Sequence, residues 1–257
     1  MNRSKKDGQY VWIYGRHACI AALKNPNRIC AEVLLAQGQT QKNGSISTLA
    51  RSRRVPVREV DISKLDTALG YKASHQGVLL RAVPLFGRYG SSTTRIEDIV
   101  SCANASATST ILILDEVTDV NNVGAILRSA ACFNVDAVVL PAHNSPSESC
   151  GMAKVSSGAT DVVPVVSVVN LVKTLEYLKH EGYWCYGLDS AEGQSLHATK
   201  FSARRVVVLG AEGKGMRQLT RKHCDYLVNI PMSEKMESLN VSNAAAIAMY
   251  SMFLQKE

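Results

Sequence analysis

The sequence predicts an α/β protein in two parts: a small N-terminal α/β domain and a C-terminal domain built on a parallel sheet. Two observations support this prediction. From Thr110 onward, near-continuous apolar segments alternate with segments of helical spacing, which is typical of a parallel sheet covered on both faces. Before Thr110 the apolar segments are fewer, and a stretch rich in Gly, Ser, Thr and Ala separates the two parts.

The charge of the chain divides at nearly the same place. Residues 1–90 carry 15 Lys and Arg against 5 Asp and Glu, whereas residues 91–257 carry 14 against 17. A basic module beside a near-neutral one suggests a polyanion-binding domain, although a solvated basic surface is the plain alternative. A cluster in RSRRVPVRE favours RNA, because arginines bind phosphates without specifying a base. Its candidate RNA-binding residues are Arg51, Arg53, Arg54 and Arg58.

We assign residues 1–85 to the N-terminal domain. YVWIYGRHACIAALKN predicts a strand or turn followed by a short helix, and STLARSRR predicts a second helix. AEVLLA, VPVREV and QGVLLRAV predict strands. Residues 86–109 are expected to form a linker with one short helix.

Residues 110–257 form the expected second domain. Its predicted strands are ILILD, DAVVLP, VVPVV, YWCYGLD, RVVVLG and YLVNIP, with helices at VGAILRSAACFN and AAAIAMYSMFL. Ligands of such sheets bind beyond the carboxyl ends of the strands. Three strand exits carry polar or glycine-rich sequence there: EVTDVNNVG, GAEGKG and MSEKMESLN.

Several function classes are excluded by spacing. GAEGKG is not a Walker A loop, because Val208 stands at the first glycine position and Gly215 where a hydroxyl is needed. A Rossmann fingerprint would need glycine at Gln218. The seven cysteines contain no CxxC pair and the histidines no metal spacing, so we expect no metal site. No apolar run reaches the length of about 18 residues needed to cross a bilayer, so we expect no membrane partner and a cytoplasmic location.

The three exits together resemble one family. DEVTDVNNVGAILRSA, LGAEGKGM and IPMSEKMESLNVSNAAAI, in this order and spacing, resemble the three motifs of the SpoU (TrmH-type) RNA ribose 2′-O-methyltransferases of the SPOUT superfamily. YGRHACIAAL and HQGVLL also resemble the substrate-binding domain that precedes many such enzymes, which has a ribosomal-protein-like RNA-binding fold. The resemblance implies a deep trefoil knot that forms an S-adenosylmethionine (S-adenosyl-L-methionine) site, and a homodimer.

The resemblance also implies roles for individual residues. The catalytic positions of the family match Asn122, Arg128, Glu212, Ser238 and Asn240, and its cofactor-binding positions match Gly210, Ile230 and Leu239. The family's proposal has Arg128 activate the ribose hydroxyl. Because a guanidinium stays protonated and has no acceptor, we expect Arg128 to stabilise the developing alkoxide instead, with the proton leaving to a phosphate oxygen or water.

The substrate implied by the two-part chain is 23S ribosomal RNA. Bacterial members with such an N-terminal domain methylate a guanosine ribose in its peptidyl-transferase region, whereas transfer-RNA-specific members usually lack the domain. Two alternatives stay open at this point. One is a transfer RNA ribose 2′-O-methyltransferase, and the other is a non-catalytic RNA-binding ribosome-assembly factor.

Overall fold

The computed structural model describes residues 10–39, 41–87, 90, 94–190 and 193–255. These residues pack into two compact units. The first contains the residues up to 90 together with 147–162, and the second contains the rest. Residues 1–9 of the expected N-terminal domain, and 88, 89 and 91–93 of the expected linker, lie outside the described residues. The domain limits at 85 and 110 therefore stay predictions.

The first unit is a four-stranded sheet with helices. In chain order its elements are β1 (Val11–Tyr14), α1 (Arg16–Lys24), β2 (Cys30–Ala36), α2 (Gly44–Ser52), β3 (Val57–Val60), α3 (Ile62–Leu69), β4 (Val78–Ala82) and, after a long interval, α6 (Cys150–Val155). The strand order is β1-β4-β2-β3. Only β4 runs antiparallel to its neighbours, so β1, β2 and β3 share one direction.

Helix α3 is not among the helices predicted from the sequence, although its capping signals are clear. The Asp61 side chain accepts a hydrogen bond from the Ser63 N–H, as an N-cap does, and Gly70 ends the helix at φ 80°. Only Leu65 of this helix is buried, and Ile62 at its start is 56% exposed, so little of its apolar surface lies in the core. The two caps mark where the helix begins and ends.

Residues 147–162 join the first unit through a buried ionic cluster. Arg28 is fully buried and donates to both oxygens of Glu148 at 2.9 and 2.7 Å, and to both oxygens of Asp161 at 2.8 Å. Glu148 also accepts from the Leu85 N–H at 2.6 Å. Because burial of these charges is tolerated only when they are paired, the cluster fixes the segment to the N-terminal sheet.

The second unit is a seven-stranded sheet covered by helices. Its elements are α4 (Ile96–Ala103), β5 (Ser109–Asp115), α5 (Val120–Cys132), β6 (Ala137–Pro141), β7 (Val165–Val168), α7 (Leu171–His180), β8 (Trp184–Leu188), β9 (Gln194–Ser195), β10 (Arg204–Gly210), α8 (Gln218–Lys222), β11 (Tyr226–Asn229) and α9 (Val241–Leu254). The strand order is β7-β6-β5-β10-β8-β11-β9, and every neighbouring pair is parallel. The predicted α/β class with a parallel C-terminal sheet is confirmed.

Both faces of this sheet are covered. Ile99 of α4 and Leu175 of α7 pack on one face with β-strand residues such as Ile113 and Val208. Helix α9 packs against α5 and β10, and its buried residues include two of the alanines, at 245 and 248. Two alanines of this helix therefore lie in the packed layer between α9 and its neighbours, while the trefoil knot stays a prediction. Among the described residues, no helix is both long and apolar enough to span a membrane.

Candidate active site

Three strand exits of the second unit meet at one hydrogen-bonded cluster. The Asn122 side-chain amide donates to Glu212 Oε1 at 3.1 Å, and the Asn240 amide donates to the same oxygen and to Asn122 Oδ1, the latter at 3.0 Å. Glu212 Oε1 also accepts the Val241 N–H at 3.2 Å. The cluster therefore joins one residue from each of the three motifs, Asn122, Glu212 and Asn240, although these residues lie far apart in the sequence.

The local sequence explains how two helices reach this carboxylate. Asp119 caps α5 by accepting the Asn121 N–H at 2.9 Å, and Asn240 caps α9 by accepting the Ser242 N–H at 2.9 Å. Both helices therefore begin at the cluster, where their positive dipole ends favour the negative charge of Glu212. The Glu212 carboxylate serves as a clamp between two helix N-termini.

The Glu212 loop is itself fixed at both ends. The backbone of Ala211 exchanges hydrogen bonds with Gly215, at 3.1 and 2.9 Å, which closes a tight loop around Glu212. Just beyond it, the fully buried Asp115 at the end of β5 accepts from the Arg217 backbone N–H at 2.9 Å and from its Nε at 2.6 Å. These two contacts tie the loop to the end of the neighbouring strand.

Gly210, the last residue of β10, lies where two backbone segments approach closely. A Cβ at this position would lie 2.1 Å from the carbonyl carbon of Gly215 and 2.2 Å from the Met216 nitrogen. No side chain fits against backbone at that distance. Glycine is therefore required here by chain packing.

A cleft of about 240 Å³ opens beside the cluster at the carboxyl ends of β8, β10 and β11. Its walls include apolar side chains from all three strand ends, such as Leu188, Leu209 and Val228. Three carboxylates line it, and the described lining residues include no Lys or Arg. These carboxylates belong to Asp189, Glu212 and Glu237. The cleft thus combines apolar walls with three carboxylates, of which Asp189 is paired with Arg221 at 3.0 Å.

The structure brings most of the predicted site residues to this place. Asn122, Glu212 and Asn240 form the cluster, while Arg128 is the exception. Arg128 lies six residues beyond Asn122 on α5, about 9 Å along the helix. It is exposed and makes no hydrogen bond or ion pair with any described residue. The predicted residues that line the cleft are Gly210, Glu212, Ile230, Ser238 and Leu239.

The four predicted RNA-binding arginines are not equivalent. Arg51 and Arg54 are exposed, and Arg58 is exposed with a 3.5 Å ion pair to Glu32. Arg53 is half-buried, and its guanidinium caps the carboxyl end of α1, a contact pattern that a charge cluster in sequence does not reveal. At 2.7 to 3.4 Å it donates to the carbonyls of Ala22, Leu23, Asn25, Pro26 and Arg28.

The exit of β8 also contributes to the cleft, and no sequence motif indicated it. Leu188, Asp189 and Ser190 line the cleft, and Asp189 Oδ2 accepts from Arg221 Nε at 3.0 Å. The available signal was position alone, since YWCYGLD is a strand whose carboxyl end reaches the same edge of the sheet as the three motifs.

Within the described ranges, no group of three or more His, Cys, Asp or Glu side chains is arranged to hold a metal ion.

Comparison with known proteins adds to this geometry. A model of the SpoU rRNA methylase family matches residues 109–250, and a model of the RNA 2′-O ribose methyltransferase substrate-binding domain matches residues 12–86. The chain is 38% identical over 250 residues to a protein named 23S rRNA (guanosine-2′-O-)-methyltransferase RlmB from Xylella fastidiosa, covering 95% of this chain and 96% of that protein. It is 35% identical to the protein of the same name from Pseudomonas aeruginosa, covering 96% and 98% of the two chains.

A solved structure has the same fold. The SpoU methyltransferase AviRb from Streptomyces viridochromogenes, crystallised in complex with the cofactor AdoMet, superposes with a TM-score of 0.77 at 20% identity. The match covers 100% of this chain and 94% of that one. With two family models that together span most of the sequence, and relatives similar over nearly their whole length, the chain belongs to the SpoU rRNA methylase family.

Proposed function

We propose that this protein transfers a methyl group from S-adenosylmethionine to the 2′-oxygen of a guanosine ribose in 23S ribosomal RNA. The observation that carries the proposal is the acidic cleft beside the Asn122–Glu212–Asn240 cluster. The names of the relatives, 23S rRNA (guanosine-2′-O-)-methyltransferase, support the substrate. We expect the nucleotide in the peptidyl-transferase region and the protein in the cytoplasm.

The residues of the cleft fit S-adenosylmethionine. Apolar side chains at Leu209, Val228 and Leu239 suit an adenine ring. The carboxylates of Glu212 and Glu237, which form no ion pair with a described residue, suit a ligand that carries sulfonium and ammonium charges. The same charges disfavour a polyphosphate nucleotide. When bound, the cofactor supplies a methyl group on a positively charged sulfur, open to in-line displacement.

The chain's own residues have orienting tasks in this proposal. Gly210, Ile230 and Leu239 hold the adenosine part against backbone and apolar side chains, and Ser238 offers a hydroxyl at the cleft. Glu212 has one oxygen occupied by three hydrogen bonds, so its first task is to hold α5 and α9 in place. Alignment of the ribose oxygen with the methyl group then supplies much of the rate enhancement.

Arg128 has the chemistry to stabilise the developing alkoxide and an adjacent phosphate, since its guanidinium is exposed and has no partner among the described residues. Arg128 is not among the described residues that line the cleft of its own chain. We therefore propose that Arg128 acts at the cleft of a second copy. A site shared in this way requires a homodimer.

An exposed apolar surface supports the homodimer. On α9, Tyr250 and Leu254 are each 52% exposed, and Ile247 and Phe253 are exposed beside them. Phe133, at the end of α5, contacts the Tyr250 ring at 5.8 Å and the Phe253 ring at 5.9 Å between centroids. A contiguous apolar surface on two helices is typical of an interface. A second copy covers it in our proposal.

Shared catalysis has a sharp test. Arg128→Ala and Glu212→Ala are purified separately, mixed and allowed to exchange subunits. If Arg128 acts across the interface, the mixed dimer holds one site with both residues intact, so the mixture regains activity that neither variant has alone. If Arg128 acts within its own chain, every site lacks one residue and mixing restores nothing. Light scattering of the wild type checks the dimer itself.

The reaction is tested with methyl-labelled S-adenosylmethionine and two RNAs in parallel, a 23S domain V transcript and a transfer RNA pool. Label in 2′-O-methylguanosine from the ribosomal fragment supports the proposal. Label in transfer RNA alone would support ribose methylation but show that the substrate is transfer RNA and not ribosomal RNA. Calorimetry with the cofactor separates the non-catalytic alternative, because a ribosome-assembly factor without the reaction has no need of cofactor affinity.

A further inference from the structure

A second groove lies in the first unit, between four segments of the chain. It is lined by Arg16 at the start of α1, by Gln39 and Lys42 before α2, by Ile62 at the start of α3, and by the loop of residues 73–77 before β4. Arg16 and Lys42 are exposed, and neither makes an ion pair with a described residue. None of the described lining residues carries a carboxylate. The groove therefore carries positive charge, and the side chains of Arg16 and Lys42 are accessible to an anionic ligand.

A third cation lies at the edge of this groove. Lys154 comes from α6, and its Nζ donates to the Ser74 carbonyl at 3.2 Å and lies 5.6 Å from the centre of the Tyr14 ring. Ser74 belongs to the lining loop. The segment fixed by the Arg28 cluster thus brings another positive charge to the same place.

The loop that forms one wall has a defined conformation. Gln76 and Gly77 both have positive φ, 54° and 74°, and the buried His75 accepts the Gly77 N–H on Nδ1 at 3.0 Å. The Gln76 side-chain oxygen accepts the Arg16 N–H at 2.9 Å. A left-handed conformation is unfavourable for a non-glycine residue such as Gln76. The loop is therefore held by these contacts, and they fix it against the first turn of α1.

Helices α1 and α2 run side by side in the same direction. Their starts meet at the groove, through Arg16 and Lys42, and their ends meet at Arg53, which follows α2 and donates to the last carbonyls of α1. Helix dipoles add positive potential at the N-terminal ends of the two helices and negative potential at their C-terminal ends. The arginine cluster around Arg53 therefore lies where it offsets helix dipoles, and the groove lies where cations and dipoles add.

We propose that this groove, and not the Arg51–Arg58 cluster, makes the main phosphate contacts of the N-terminal domain with RNA. The proposal rests on the proposed function for the presence of an RNA substrate and adds the surface that holds it. Arg16 and Lys42 contact backbone phosphates, with Lys154 beside them. Such contacts position RNA without reading its sequence.

The test compares three double variants of the full chain that each remove two positive charges. Binding of a 23S domain V transcript is measured over a range of salt concentrations. Circular dichroism and cofactor calorimetry confirm that each variant is folded. The control pair, Lys173 and Lys222, is exposed on α7 and α8 of the second unit, outside both surfaces. The variants are Arg16→Gln with Lys42→Gln in the groove, Arg51→Gln with Arg54→Gln in the cluster, and Lys173→Gln with Lys222→Gln as the control.

We expect the groove variant alone to weaken RNA binding, and to reduce the slope of log affinity against log salt by about 2, one for each lost phosphate contact. Cofactor affinity stays at the wild-type value. Equal losses in all three variants indicate general electrostatic attraction and overturn the proposal. A loss confined to the Arg51 and Arg54 variant also overturns it.

Failure of the proposed function gives a different result. If the wild type binds and methylates the transcript while the groove variant behaves like the wild type, only the groove assignment is wrong. If the wild type binds neither the ribosomal transcript nor transfer RNA, the RNA substrate and the groove are both wrong.

Discussion

Asp115 and Arg217 lie 102 positions apart in the sequence and form a two-point contact behind the Glu212 loop. The carboxylate is fully buried and accepts both the backbone N–H and the Nε of Arg217, whose side chain is 46% exposed. A buried carboxylate is tolerated when its oxygens accept hydrogen bonds. This contact fixes the carboxyl end of the loop that carries Glu212.

Replacement of Arg217 tests that contact. Arg217→Ala leaves Asp115 with the backbone N–H alone, so we expect the free energy of unfolding to fall by about 2 kcal/mol and cofactor affinity to weaken. Denaturant unfolding and calorimetry measure the two effects. Arg95→Ala is the control, because the side chains of its ion pair with Glu97 are 72% and 45% exposed and the pair contributes little. Equal stability of the two variants would contradict this account.

The clamp role of Glu212 predicts a difference between two substitutions. Glu212→Gln keeps an oxygen that can accept from Asn122, Asn240 and the Val241 N–H, whereas Glu212→Ala removes the acceptor altogether. We expect the Gln variant to keep kcat within about tenfold of wild type, and the Ala variant to lose at least about a hundredfold together with stability. If the carboxylate instead took the hydroxyl proton, both variants would lose kcat equally while the Gln variant kept its stability.

Gly210 provides a test of close chain packing. Gly210→Ala places a methyl group 2.1 Å from the Gly215 backbone, so we expect severe loss of stability and of cofactor binding. Gly213→Ala in the same loop is the matched control. Gly213 has φ 76° and nothing within 4 Å of an added Cβ. We therefore expect Gly213→Ala to lower the free energy of unfolding only through backbone strain, by about 1–2 kcal/mol. Similar melting temperatures for the two variants would show that the close approach does not occur in solution.

Two cysteines of the second unit have thiols that burial keeps protonated. Burial, and to a smaller extent nearby Asp225, raises the pKa of Cys185 to about 12. Burial is also the largest cause that raises the pKa of Cys224 to about 12. At about pH 8 both thiols are therefore protonated, and they stay so at about pH 9, because the pH remains below the raised pKa. Cys102 and Cys132, by contrast, are exposed.

We expect iodoacetamide to label Cys102 and Cys132 in the folded protein and to spare Cys185 and Cys224, as read by mass spectrometry. Denatured protein, in which all seven cysteines are accessible, is the control. Labelling of Cys185 at the rate of Cys102 would mean that the sheet opens readily.

The strands and the family could be predicted from the sequence, for physical reasons. ILILD and RVVVLG are continuous apolar runs because both faces of β5 and β10 are covered. The three motifs indicated the family because their spacing is specific, and that assignment is confirmed. That the three exits lie at one edge of the sheet followed from one rule, that ligand sites lie at the carboxyl ends of parallel strands, whereas their hydrogen bonds to Glu212 come from the structure.

Other features depend on contacts that no local pattern contains. The Arg28 cluster joins residues 120 and 133 positions apart, so no stretch of sequence indicates that 147–162 pack with the first unit. Arg53 lies in a basic run, yet its guanidinium is directed at the end of α1. The roles of the individual site residues stay predictions until variants are measured.

The most direct test of the central claim is transfer of labelled methyl from S-adenosylmethionine to a 23S domain V transcript, followed by digestion to nucleosides. We predict label in 2′-O-methylguanosine with the wild type, and its loss with Arg128→Ala at unchanged cofactor affinity. Label on a base, or on no ribosomal nucleoside although the protein binds both cofactor and transcript, would contradict the account.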